Sequence, residues 1–267
     1  MPFVTSADGT PIARTTTGSG PAVVLVDGAL CHRAFGPGAA VAERLAGHHT
    51  VHTYDRRGRG GSGGATAPAA VDREIEDLAA VIRAAGGTAH VVAFSSGAAL
   101  ALRAAARGIG ITRLAVHEPP FSTDDAQGER FVRYAADLAA DLAEDRRGDA
   151  VARFMAFAGM PEEMVGGLRA APVWPAFEVV APTLAHDAEA LGARTGAAVP
   201  VDLLAGITVP VLVLDGDASP DALRAPARAV AAAVPGARSA TLPGQTHEVD
   251  ADVLAPVLLE FFARPLA

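Results

Sequence analysis

The segment Val91-Val-Ala-Phe-Ser95-Ser-Gly-Ala-Ala-Leu100 passes from an apolar run through a small-X-Ser-X-small turn straight into an Ala/Leu-rich stretch. Small residues at Ala93 and Gly97 permit a tight strand-to-helix turn that lifts the Ser95 hydroxyl clear of a sheet and over a helix N-terminus. The free amides of that terminus point at whatever the serine attacks, and can hold a developing oxyanion. A hydroxyl nucleophile needs a base. Leu242-Pro-Gly-Gln-Thr-His247 places a histidine just after the last β-like run, in the chain order serine, acid, histidine that this turn class uses. Taken singly, Ser95 and Ser96 would read as N-caps and His247 as an ordinary surface or core residue. Together they point to nucleophilic chemistry. The other histidines, His32, His48, His49, His52, His90, His117 and His186, lack such placement and no pair has metal-ligand spacing, so no metal site is expected. His48-His49 reads as an exposed loop.

The elements that must carry these side chains are legible as short Val/Leu/Ile runs alternating with Ala-rich helical stretches. The runs are 22–26, 50–54, 89–93, 113–117, 209–214 and 237–242; helices are expected over 40–46, 71–85, 97–107, 220–234 and 254–263. This alternation predicts an α/β fold with a mostly parallel twisted sheet flanked by helices on both faces. From Ser122 to about Val199 no β-like run occurs, and apolar residues recur every three or four positions. The expected organisation is therefore a core of residues 1–121 and 200–267 interrupted by a helical lid at 122–199. That insertion carries the only tryptophan and three of the four methionines. Its apolar residues either form a small core of their own or line a pocket.

Composition excludes several functions. A formal charge of −8 argues against nucleic acid as a partner, because neutralising phosphates needs a clustered positive surface. All 22 basic residues are arginine, which removes Schiff-base lysine chemistry and lysine-dependent phosphate loops. Cys31 is the single cysteine, so no internal disulfide framework is expected. Apolar stretches such as 22–26 and 209–214 are far shorter than the roughly 20 residues of a membrane span, and residues 1–17 carry no secretory pattern. A cytoplasmic protein is expected. Gly58-Arg-Gly-Gly-Ser-Gly63 echoes a dinucleotide fingerprint but lacks its glycine spacing and its distal acid, so no organic cofactor is expected.

With these features in place, the chain resembles the α/β-hydrolase family, in its serine-hydrolase branch with a helical lid. The resemblance runs through Val26-Asp-Gly-Ala-Leu30, Tyr54-Asp-Arg-Arg-Gly-Arg-Gly-Gly-Ser62, the Ser95 turn, 209–216 and Gly244-Gln-Thr-His247. It implies oxyanion amides from Ala29 and Ser96. The dipeptide Asp27-Gly28 stands where relatives carry His-Gly, and Asp27 either bears on the oxyanion site or points away to tie down a loop through Arg33 or His32. The resemblance leaves two residues for the triad acid. Relatives commonly use a Gly-X-X-Asp after the run matched by 209–214, but Ser219 fills that slot here and Asp217 lies two residues early. Others carry the acid after the preceding strand, and Glu118, 23 positions beyond Ser95, matches that position. Glu118 is the first choice and Asp217 the second.

The expected function is hydrolysis of an ester, thioester or lactone by a Ser-His-acid triad through an acyl-enzyme. A small, largely apolar substrate would contact Leu30, Phe121, Phe154, Phe157, Met160 and Trp174. Two other readings stand beside it: non-hydrolytic chemistry at the same site, of lyase, cyclase or cofactor-free haloperoxidase type, and ligand binding with little turnover. The sequence assigns no oligomeric state.

Overall fold

The computed structural model describes residues 2–64 and 71–264. The strands are β1 (Phe3–Thr5), β2 (Pro11–Thr17), β3 (Ala22–Val26), β4 (Thr50–Tyr54), β5 (Ala89–Phe94), β6 (Ile111–His117), β7 (Val211–Gly216) and β8 (Arg238–Leu242). The helices are α1 (Gly38–Leu45), α2 (Val71–Ala84), α3 (Ser96–Ala106), α4 (Asp125–Ala143), α5 (Arg147–Phe157), α6 (Glu162–Arg169), α7 (Trp174–Val180), α8 (Leu184–Leu191), α9 (Val201–Ala205), α10 (Asp221–Ala233) and α11 (Ala251–Ala263). One eight-stranded sheet runs in the order β1-β2-β4-β3-β5-β6-β7-β8. It is parallel from β4 to β8 and antiparallel at β1 and β2.

Side chains alternate across the pleat and divide the interior into two layers. Val24, Val26, Val91, Ala93, Leu114 and Val116 face α2 and α3. Val23, Leu25, Val92, Phe94, Ala115, Leu212 and Leu214 face α1 and α11. The chain leaves β3 toward β4 on one side and leaves β5 toward β6 on the other, so its direction reverses between two adjacent strands. Parallel α/β sheets open a crevice at such a point, outside the carboxyl ends of the strands. The 27–31 turn and Ser95 both lie there.

The N-terminal strands β1 and β2 have no counterpart in the sequence reading. Phe3–Thr5 is only 3 residues long, and the Thr15-Thr16-Thr17 end of β2 lacks the apolar run that marks the interior strands. Near the far edge, β7 starts at Val211 rather than at Val209. Pro210 has no N–H to give the ladder, although its carbonyl accepts from the Leu114 amide. His49 departs from its expected exposure: it is buried, with its ring 5.6 Å from that of Phe262. Between β6 and β7 lie helices α4 to α9, and α8 packs across α3. Among the described residues no helix is long and apolar enough to cross a membrane.

Candidate active site

Three backbone strains mark the carboxyl ends of the central strands. Of the five non-glycine residues with positive φ among the described residues, Leu30 (60°), Ser95 (54°) and Glu118 (44°) stand at the ends of β3, β5 and β6. Such conformations cost of order 1–3 kcal/mol each and persist only where the surroundings impose them. Ser95, at ψ −126°, forms the corner between β5 and α3 and is half-buried. Its corner closes because Gly97 has no side chain: a Cβ there would lie 2.6 Å from the carbonyl oxygens of Val26 and Asp27. Gly28 meets the same corner from the other side, where a Cβ would stand 3.0 Å from Ser95 Cβ and 3.6 Å from its Oγ. The turn after β3 is thus pressed against the serine.

Glu118 follows β6 directly. Its N–H donates to the Leu214 carbonyl, its Oε1 accepts from the Gly216 amide at 2.9 Å, and its Oε2 lies 2.7 Å from His247 Nδ1. The carboxylate is fully buried, whereas the imidazole side chain is 37 % exposed. Burial alone would raise the Glu118 carboxyl, but the His247 and Gly216 donors outweigh it and hold the group down to about 2, well below the usual carboxylate range. Beside this pair, His117 is buried with its ring 6.0 Å from that of His247, and burial lowers its imidazole to about 4, which keeps it neutral at pH 7. Ligand atoms of His117, Glu118 and His247 fall within 4.8 Å of one another, the one such trio among the described residues. Any cation there would compete with the direct Glu118–His247 hydrogen bond.

The other carboxylates near the end of β7 are engaged elsewhere. Asp217 is exposed and accepts from the Gly244 amide at 2.6 Å, clamping the 217–244 turn; Asp215 pairs with Arg224 and Asp221 with Arg228. Asp27 is buried and accepts from the Gly38 amide at 3.1 Å, not from Arg33 or His32. Burial raises its carboxyl to about 7, against the pull of Gly38, Arg59 and Arg56.

The apolar residues expected at the substrate separate into two groups. Leu30 and Phe121 are buried in the turns after β3 and β6, two residues past Gly28 and three past Glu118. Phe157 is taken up against α4, stacked on Tyr134 at 4.2 Å with Arg130 over its ring at 4.8 Å. Phe154 and Met160, partly buried, pack against the main hydrophobic cluster. Trp174 is buried edge-on to Phe177, which in turn meets Phe35 at 5.5 Å in the segment following the 27–31 turn. An open groove of about 930 Å³ runs along α4 and the 194–199 segment, but none of Ser95, Glu118 or His247 lines it.

Sequence reasoning missed a buried charge cluster that reaches Ser96. Arg56 forms a bidentate pair with Glu74 (2.8 and 2.7 Å) and donates to Asp187 Oδ1 at 2.6 Å. Arg59 donates to Asp187 Oδ2 at 2.8 Å, and the Ser96 hydroxyl to Asp187 Oδ1 at 2.7 Å. Two arginines and two carboxylates cancel, which is the condition for keeping such charge out of water. A signal did exist: Asp187 shares the i, i+3, i+4, i+7 face of Leu184, Ala188 and Leu191, so its carboxylate had to be buried.

The profile of the Alpha/beta hydrolase family matches residues 23–257. The chain belongs to the alpha/beta hydrolase family. An alpha/beta hydrolase of Sphaerobacter thermophilus has a crystal structure 52 % identical to this chain, with TM-score 0.87 over 98 % of this chain and 100 % of that one. A hydrolase structure from Pseudomonas aeruginosa, at 23 % identity and TM-score 0.75 over 98 % of each chain, shares the fold. Among curated proteins, the pimeloyl-[acyl-carrier protein] methyl ester esterase of Xanthomonas campestris is 36 % identical over 151 residues, 51 % of this chain and 57 % of the relative. The match thus spans little more than half the length of that esterase.

Proposed function

We propose that this alpha/beta hydrolase cleaves an ester-type bond, whether ester, thioester or lactone, of a small and largely apolar substrate, with Ser95 as nucleophile, His247 as base and Glu118 as acid. The observation that carries the reading is the buried Glu118 carboxylate 2.7 Å from His247 Nδ1, beside a serine held at a strained corner. Accepting from Nδ1–H fixes the tautomer that leaves Nε2 as the acceptor for the Ser95 proton. Oγ then attacks the substrate carbonyl carbon, and the oxyanion is received by the Ala29 and Ser96 amides. Collapse expels the alkoxide or thiolate, which takes the proton from Nε2, and leaves Ser95 acylated. Water, deprotonated by the same nitrogen, releases the acid and restores the serine.

The methyl ester named for the Xanthomonas relatives supports an ester bond; their carrier-bound acyl group is not carried over. Residues 122–199 serve in this reading as a lid, whose Trp174–Phe177–Phe35 contacts meet the segment that follows the 27–31 turn. A cytoplasmic setting belongs to the same proposal. Stopped-flow hydrolysis of p-nitrophenyl esters tests it: a burst of p-nitrophenol equal to the enzyme concentration, followed by release of free acid, is the expected result. Turnover without free acid would favour non-hydrolytic chemistry, and no turnover of any ester would favour a binding role.

A further inference from the structure

Resting on the serine-hydrolase reading, we propose that Arg59 and Asp187 are positioning residues that aim the Ala29 amide at the oxyanion and so couple the helical insertion to the chemistry at Ser95. Arg59 lies in the turn after β4 and is fully buried. Its Nη1 donates to the carbonyls of Gly28 and Cys31, the latter at 3.2 Å. Its Nε donates to Thr183 Oγ1 at 3.0 Å and its Nη2 to Asp187 Oδ2 at 2.8 Å. One planar guanidinium therefore spans the turn after β3 and the insertion.

The Gly28 carbonyl and the Ala29 N–H belong to one peptide unit, and in a planar trans peptide they point in opposite directions. Holding the carbonyl on the Arg59 side turns the amide away from Arg59. Gly28 itself abuts Ser95, so the peptide that Arg59 clamps is the one beside the nucleophile. Arg56 repeats the device one residue earlier, where its Nη1 reaches the Asp27 carbonyl at 3.3 Å. The Ser96 hydroxyl, on the residue that offers the second amide, donates to Asp187. Both proposed oxyanion donors are thus tied, through two arginines and a hydroxyl, to one carboxylate on α8. A cluster that only filled space would satisfy Arg59 with carboxylates, yet two of its bonds go to backbone carbonyls of the 28–31 turn.

The test compares a phenyl ester with its thionoester, whose C=S sulfur is a poor hydrogen-bond acceptor and so gains little from oxyanion donors. Rates are normalised to sites titrated with a p-nitrophenyl phosphonate, so that only competent enzyme is counted. Arg59→Lys, which cannot reach Gly28, Thr183 and Asp187 together, is expected to lower kcat on the ester about 10- to 100-fold with KM little changed, and to reduce the ester/thionoester rate ratio. The pH profile should keep its shape, because the Glu118–His247 hydrogen bond is untouched. If Arg59→Lys is not recovered folded, Thr183→Val removes the Nε acceptor along with the hydroxyl's own bond to the Val180 carbonyl, leaves the other Arg59 bonds in place, and should lower the same ratio about 3-fold. A normal rate ratio in folded variants that melt earlier overturns the positioning role and leaves the serine-hydrolase reading intact. A wild-type chain whose Ser95 resists the phosphonate overturns both.

Discussion

The Ser95 amide donates to the His117 carbonyl at 2.9 Å, latching the Ser95 corner to the residue that precedes Glu118. Phe94 and His117 are register partners in adjacent parallel strands, so the turns that carry serine and acid leave the sheet side by side. His247 arrives from beyond β8 and closes on Glu118 from across β7. The sheet register thereby sets how the proposed triad residues approach one another.

Glu118→Gln keeps the shape of the acid and loses its charge. Turnover of a p-nitrophenyl ester is expected to fall about 10³- to 10⁴-fold, because the wrong tautomer of His247 is then favoured. Asp217→Ala, which cuts only the clamp on the Gly244 amide, should change turnover less than about 3-fold and cost about 1 kcal/mol of stability. Steady-state kinetics on both variants decide the matter, and the reverse ranking would remove Glu118 from the triad.

Strain at Ser95 should be measurable as stability. Glycine adopts positive φ without penalty, so Ser95→Gly is expected to melt later than Ser95→Ala, by an amount worth about 1 kcal/mol, while both are inactive. Calorimetry of the two proteins compares them directly. Equal melting temperatures would mean that the corner relaxes once the hydroxyl is gone.

Asp27 gives a pH dependence of definite sign. Its carboxyl is raised from 3.8 to about 7 on folding, so the native state holds a proton that the unfolded chain releases. Stability contributed at this site is therefore greatest below about pH 4, declines as pH rises toward 7 and is lost above it. Asp27→Asn retains an acceptor for the Gly38 amide. It should match wild type near pH 4 and exceed it at pH 8 by on the order of 1–3 kcal/mol in urea unfolding. An unchanged difference between the two proteins at both pH values would show that Asp27 does not titrate in this range.

Gly97→Ala tests how closely α3 approaches β3. With two backbone carbonyls 2.6 Å from the new methyl, neither able to swing aside, the helix start must move. About 2 kcal/mol or more of destabilisation is expected, together with reduced turnover as the Ser96 amide shifts. A fully active and equally stable variant would contradict the geometry drawn for the corner.

Much of this arrangement is legible in the sequence because local patterns encode it. Apolar runs mark the six parallel strands, and the spacing around Ser95, Glu118 and His247 follows turns that close within a few residues. What stays hidden depends on distant pairing. Strand β2, second from the edge, is held by Arg14–Thr17 lying against Val51–Tyr54, not by any run of its own. Asp187 meets Ser96 across 91 positions, and Asp217, the second choice of acid, accepts from the Gly244 amide across 27. Phe157 could have faced a pocket or the insertion's interior, and only its stacking on Tyr134 decides between them.

The most direct measurement is intact mass and peptide mapping after treatment with a fluorophosphonate. One adduct per chain is predicted, located on Ser95, forming rapidly in wild type, far more slowly in Glu118→Gln and not at all in Ser95→Ala. A correctly folded wild-type protein that stays unlabelled, or that is labelled elsewhere, would contradict the assignment of Ser95 as an activated nucleophile.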